Sequence, residues 1–203
     1  PAYAFTRNEY WGRKFFYRFV VVTMYFSAGL IPLFLTYRTI GIYNTFWVYI
    51  IPGIVTPFNL ILCKTYIESL PASLEESAEI DGAGYLVRYF RLILPLSKPI
   101  LATVSVFSAV GQWNNWMDTV LYTKDKSLQT LQYVLYRYLN EANTLAEIAR
   151  EDPSAMNANL ATQLSPLTIK YTISIVTILP ILLVYPFFQK YFVKGIMIGA
   201  VKG

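Results

Sequence analysis

The chain has 203 residues, 55% of them apolar and only 14% charged, whereas soluble domains carry charge at close to a quarter of their positions; this excludes an ordinary water-soluble domain and indicates a membrane protein. The formal charge of +5 does not indicate nucleic acid, because the basic residues sit in short clusters beside apolar runs, where they meet anionic lipid and set orientation. There is no His and a single Cys, Cys63, so no disulfide framework, His-based catalysis or thiolate metal cluster is expected.

Residues 1–18 carry Arg7, Arg13, Lys14 and Arg18 against one acid, Glu9, among Tyr3, Phe5, Tyr10, Trp11, Phe15 and Phe16. Basic plus aromatic residues before an apolar run mark a cytosolic membrane interface. Residues 19–37 then form a predicted span of ~28 Å, close to a hydrocarbon core of ~30 Å, with a kink at Pro32. After a short turn, residues 46–63 form a second span, interrupted by Pro52, Gly53 and Pro57. Membrane helices tolerate such breakers where neighbouring helices or a watery cavity satisfy the freed carbonyls. This span is therefore expected inside the bundle or along the solute route.

Residues 71–99, PASLEESAEIDGAGYLVRYFRLILPLSKP, are a long charged passage between apolar segments. Ser73 and Glu76 have capping-box spacing, which predicts a helix from Leu74. Asp81-Gly82 ends it, since glycine takes the left-handed conformation of a helix C-terminus at little cost. A second helix over 84–93 follows, with Arg88 and Arg91 set apart from its apolar residues, and Pro95 is expected to stop it. Glu75, Glu76, Glu79 and Asp81 in the first half, Arg88 and Arg91 in the second, and the small residues Ala72, Ser73, Ser77, Ala78, Gly82, Ala83 and Gly84 make a surface that a partner protein approaches closely. An amphipathic hairpin lying on the membrane, with Glu76 serving only as a cap, is the plainer alternative.

Residues 100–122 form a third span containing Trp113, Asn114, Asn115, Trp116 and Asp118. A lone Asp at the bilayer centre costs about 2.5 to 3.5 kcal/mol on insertion scales, so Asp118 must face water, protein or the far interface. Residues 124–168 are polar. Leu128, Leu131, Leu135 and Tyr138 predict one amphipathic helix there, and 141–165 show no clear period. Residues 169–188 are the fourth span, kinked at Pro180 and bounded by Pro186, before a basic tail, 189–203. The first segment, the central loop and the tail are basic, while the basic residues of 124–170 are offset by Asp125, Glu141, Glu147, Glu151 and Asp152. The central loop and both ends are accordingly expected in the cytosol and 124–168 outside.

Glu76-Ser77-Ala78, three residues, Gly82, nine residues and Leu92-Ile93-Leu94-Pro95 resemble the EAA loop of bacterial ABC importer permeases, Glu-Ala-Ala, three, Gly, nine, Ile-x-Leu-Pro. Ser77 and Leu92 depart from it by small changes of volume. Asp81-Gly82-Ala83, the run Leu94 to Pro99, and the tail sequences YFVKG and GAVKG are similar to the carbohydrate-uptake, MalG-type branch. AYAFTR followed by Gly12-Arg13 resembles the cytosolic turn between the second and third spans of that family. With Pro1 in place of an initiator Met, this implies a portion of a longer subunit, with two spans preceding the four seen here and six in the whole.

The resemblance implies an all-α polytopic membrane bundle of the ABC importer permease type in a bacterial inner membrane. It implies ATPase coupling through Glu76, Ser77, Ala78, Asp81, Gly82, Ala83 and Arg88, with Lys194, Gly195, Gly199 and Lys202 of the tail reaching the same partner. The implied partners are an ATP-binding subunit dimer holding ATP and Mg, a second homologous permease subunit, and an extracytoplasmic solute-binding protein that meets residues 136–164. No GxxxxGK[ST] motif is present, so no enzyme and no cofactor are expected in this chain. For an oligosaccharide, the alginate type included, Trp113, Asn114, Asn115, Trp116 and Asp118 are candidate pathway residues, as aromatic faces stack on sugar rings and amides and carboxylates bond hydroxyls. Interfacial anchoring and helix-helix hydrogen bonding by the same residues is the alternative. An ion-driven secondary transporter, or a permease for a non-sugar solute, is the rival function.

Overall fold

The computed structural model describes residues 1–151 and 166–199, and every regular element among them is helical. Helix α1 (Ala2–Thr6) precedes α2 (Arg13–Thr23) and α3 (Leu30–Thr39). Two 3-10 turns, Phe46–Tyr49 and Ile51–Gly53, lead to α4 (Pro57–Glu68). Then come α5 (Ala72–Ile80) and α6 (Tyr85–Leu96). The remaining helices are α7 (Lys98–Trp113), α8 (Met117–Tyr122), α9 (Leu131–Glu151) and α10 (Pro166–Gly199), with a 3-10 turn, Lys126–Leu128, before α9.

Of the four predicted spans, only the last is a single rod. Among the described residues Leu167–Pro186, with mean hydropathy 2.0, is by itself long and apolar enough to cross a membrane; Phe46–Gly53 with Pro57–Glu68, and Tyr85–Leu96 with Lys98–Trp113, qualify only as bent pairs. The predicted first span, 19–37, falls on two helices of 11 and 10 residues, each about half a hydrocarbon core in length. Its break falls at 24–29, where Gly29 takes φ +84, and not at Pro32. Pro32 lies in the first turn of α3, where a missing N–H removes no helical bond.

Residues 46–63 break where Pro52, Gly53 and Pro57 predict, and Pro57 opens α4. The predicted third span starts at Lys98 and divides after Trp113. The fourth is longer than predicted: α10 runs 34 residues through both Pro180 and Pro186, so residues 189–199 of the expected tail continue the helix. In apolar surroundings the backbone finds no partner better than its own carbonyls, and helix continuation outweighs the local proline cost. The helix expected around Leu131, Leu135 and Tyr138 is α9, with Leu128 in the preceding 3-10 turn. It extends through 141–151, which showed no period, while 152–165 lie outside the described residues.

The chain forms two compact units: Pro1–Leu33, Ile51–Ala109 and Phe188–Gly203 make one, and Phe34–Ile50 and Val110–Phe187 the other. In the first, α1 packs along α4 and α2, and α5 against α6. In the second, Ile42, Val48 and Tyr122 are the buried centre, covered by Phe34, Tyr37, Tyr43, Tyr49 and Leu121. The Tyr49 hydroxyl bonds Thr119 Oγ1 at 2.8 Å and the Leu128 carbonyl at 2.9 Å. Phe19, Ile31, Ile175 and Leu182 stay exposed on their helices, a distribution suited to lipid or to an apposed protein.

Asn44 closes this second unit. Its backbone is left-handed at φ 55, its N–H donates to the Tyr122 carbonyl at 2.9 Å, and its Oδ1 accepts from the N–H groups of Lys124 (2.7 Å) and Asp125 (2.9 Å). Asn44→Ala keeps the left-handed cost and loses both side-chain bonds, so a loss of about 2 to 3 kcal/mol is expected, and Asn44→Gly should lose less. Thermal unfolding in detergent checks the order; equal losses would show that backbone strain plays no part.

Candidate functional site

The α5–α6 hairpin begins differently from its prediction. The Ser73–Glu76 capping box does not form: α5 starts at Ala72, Ser73 is its second residue, and the Ser73 carbonyl accepts the Ser77 hydroxyl at 2.8 Å. Pro71, extended at φ −59 and ψ 126, sets the helix start two residues early, since the ring fixes the entry and offers no N–H. The other end closes as predicted. Gly82 takes φ +79, its N–H donates to the Glu79 carbonyl and the Ala83 N–H to the Ala78 carbonyl, both at 2.9 Å, which is a complete Schellman closure.

Pro95 does not stop α6. The helix starts with Tyr85–Arg88, widens to a π turn over Tyr89–Ile93 and ends in Leu94–Leu96, with Pro95 inside. A π turn re-spaces the carbonyls just ahead of a residue that has no N–H to give them, and the chain stays helical. Then α7 leaves at 70° to α6.

Charge is arranged in two layers. Glu75, 9% exposed, receives the Arg7 guanidinium at 2.6 Å and the Tyr3 hydroxyl at 2.6 Å, and Arg7 also lies 4.8 Å from the Tyr3 ring centroid. Burial, then the Glu75 carboxylate, push the Tyr3 phenol up to about 12, so it stays a donor at physiological pH. Arg88, 5% exposed, donates to Glu79 Oε2 at 2.8 Å and stands 4.5 Å over the Tyr85 ring. Burial works against its charge, but Glu79 overrides that and holds the guanidinium above its ordinary range. Arg88, expected to take part in coupling, is thus an internal brace of the hairpin.

The outward layer is Glu76, Ser77, Asp81 and Gly82, all exposed, with Ala78 and Ala83 half-buried. Ile80, 86% exposed, sits at the tip and was not singled out from the sequence. An isoleucine directly before the Asp-Gly closure was the available signal, because the last turn of so short a helix has nothing beneath it. Glu75, expected beside Glu76 on the partner-facing surface, turns inward instead. Its four-residue spacing from Glu79, on one face of α5, was the sign that both reach charged partners.

The pathway candidates lie at the α7–α8 break, in the second unit. Trp113 Nε1 donates to the Thr177 carbonyl at 3.1 Å. Asn115 Nδ2 donates to Asp118 Oδ2 at 2.5 Å, and Asn115 Oδ1 accepts from the Asp118 N–H at 3.2 Å. Trp116 stacks on Tyr136 with centroids 3.9 Å apart. Only Asn114 of the five is exposed. Lys194, Gly195 and Gly199 fall within α10, and Lys202 lies outside the described residues. In the first unit, residues 53–56 border a cavity of about 900 Å³, lined also by Leu60, Cys63, Tyr89 and Val104. Among the described residues no cluster of His, Cys, Asp or Glu forms a metal set.

Residues 2–198 match the model of the binding-protein-dependent transport system inner membrane component family. The chain belongs to that family. The match takes in the α5–α6 hairpin and nearly all of α10. This permease-family chain is 40% identical over its whole length to the polygalacturonan/rhamnogalacturonan transport system permease protein YtcP of Bacillus subtilis, covering 68% of that protein. It is 38% identical to protein LplC of the same organism, covering 66% of it. Among solved structures it is similar to a bacterial ABC transporter involved in the import of the acidic polysaccharide alginate, with a TM-score of 0.77 and 31% identity over 94% of this chain and 66% of that one. The fold is of the all-α ABC importer permease type, and the chain spans about two thirds of the length of the relatives it matches.

Proposed function

We propose that this chain is the membrane-embedded half of an ATP-driven oligosaccharide importer, and that the α5–α6 hairpin receives the stroke of an ATP-binding subunit. The observation that carries this is the division of charge on the hairpin. Glu75 and Arg88 are spent on internal pairs, while Glu76, Asp81 and Ile80 are left facing outward around a closed Gly82 turn. A rigid knob of acids around one exposed apolar tip suits a cleft with a basic wall and an apolar floor.

In this reading the hairpin and the C-terminal end of α10 are cytosolic, and the ATP and Mg belong to an ATP-binding dimer. A second homologous permease completes the pathway, and an extracytoplasmic solute-binding protein delivers solute to the region of residues 136–164. The relatives' names support a carbohydrate substrate, acidic polymers among them. Because Trp113 and Trp116 reach other helices at Thr177 and Tyr136 and Asn115 and Asp118 pair with each other, structural roles for these four are favoured over direct sugar contact. Family membership favours ATP-driven import over an ion-driven carrier.

Glu76→Lys tests the docking. It reverses one exposed charge and touches none of the internal pairs, so the protein should still insert in the membrane. A charge-assisted contact contributes about 1.5 to 3 kcal/mol, so co-purification of the ATP-binding subunit should fall at least tenfold. Undiminished co-purification with normal solute-stimulated ATP hydrolysis would refute the proposal.

A further inference from the structure

Resting on the reading of α5–α6 as the coupling hairpin, we propose that α1 is a strut in the coupling device, with Tyr3 and Arg7 as positioning residues that tie the hairpin to α4. By chain connectivity α5 hangs from α4 only through residues 69–71. The Tyr66 hydroxyl of α4 donates to the Leu96 carbonyl at the far end of α6 at 3.2 Å, and the structure adds a further connection, made to α5 itself, that bypasses this link. Tyr3 and Arg7 both bond the same oxygen of Glu75, each at 2.6 Å, across 72 positions of sequence for Tyr3.

The same Tyr3 ring lies 5.4 Å from the Tyr89 ring of α6, so one aromatic side chain touches both arms of the hairpin. α1 itself packs along α4 and α2, and Lys64 of α4 stands over the Tyr17 ring of α2 at 4.6 Å. Within α5–α6, Arg88 and Glu79 lock the arms together, so the hairpin turns as one piece. A displacement applied at Ile80 and Glu76 therefore reaches α4 through Glu75, Tyr3, Arg7 and α1, rather than being absorbed by bending at 69–71. Packed, hydrogen-bonded chains of this kind carry coupling between sites, and reciprocal substitutions are what show it.

The test uses the assembled full transporter in proteoliposomes and reads two quantities: ATP-binding subunit retained, and solute carried per ATP hydrolysed. Arg7→Glu should keep the partner bound, because the docking face is untouched, but lower solute per ATP about fivefold to tenfold. Tyr3→Phe, which removes one hydroxyl and keeps the ring, should lower it less. The double exchange Arg7→Glu with Glu75→Arg should restore most of the loss. A wild-type ratio in both single variants overturns the strut, as does loss of the partner itself in Arg7→Glu, which would reduce the pair to shaping the docking face. Glu76→Lys in parallel separates the two readings: it fails at partner binding if the hairpin docks the ATPase, whatever Arg7 does.

Discussion

Gly82→Val is expected to abolish solute-stimulated ATP hydrolysis while leaving the protein in the membrane. Gly82 holds φ +79, and a Cβ placed on it meets nothing within 4 Å, so the penalty comes from the backbone alone and not from crowding. An L-residue in this conformation costs about 1 to 2 kcal/mol, and a β-branched one more. The hairpin escapes the cost by opening its closure, which breaks the Gly82 and Ala83 bonds to the carbonyls of Glu79 and Ala78 and moves Asp81 and Ile80 out of the face proposed to dock the ATP-binding subunit. Since each 1.4 kcal/mol is tenfold, the docked geometry should fall at least tenfold in population. Gly82→Asn, whose side chain tolerates the left-handed region, should keep most of the coupling. Comparing stimulated ATP hydrolysis among Gly82, Asn and Val forms decides the matter; a fully coupled valine form would mean that the turn is not held in this shape when docked.

The second large effect is an asymmetry within one ion pair. Glu79 is 62% exposed by its side chain and Arg88 only 5%, so removing either partner does not leave the same residue behind. Glu79→Ala strands a buried guanidinium whose Nε already has no partner among the described residues. Unpaired buried charges destabilise by about 3 to 5 kcal/mol, and the low end is expected here because the loop surface can relax. Arg88→Met leaves a carboxylate that water solvates where it stands, and fills the same space with an apolar chain, so a change within about 1 kcal/mol is expected. Limited proteolysis at the hairpin, followed against temperature, should show Glu79→Ala cleaved well before Arg88→Met. The reverse order would place Arg88 in solvent.

How much of this was legible depended on the kind of rule involved. The membrane class followed from composition, and the end of α5 from Asp81-Gly82. The break of the second predicted span followed from Pro52, Gly53 and Pro57. The start of α5 was misread because Ser73 and Glu76 matched a cap pattern while Pro71, two residues earlier, had already fixed the entry. Pro95 and Pro186 were read as stops, yet α6 and α10 pass through them, by a π turn in one case and in apolar surroundings in the other. The split of 19–37 turned on Gly29, which a hydropathy window does not weigh.

Features that belong to a single residue and its immediate neighbours, such as a left-handed glycine or a proline entry, are therefore written in the chain. So is the bulk balance of apolar and charged positions. Which of the adjacent acids Glu75 and Glu76 turns inward is not. Neighbouring positions on a helix are only about 100° apart, and the choice between them depends on Tyr3 and Arg7 arriving from an element some seventy residues away. Three-dimensional packing alone brings them to Glu75 and leaves Glu76 exposed.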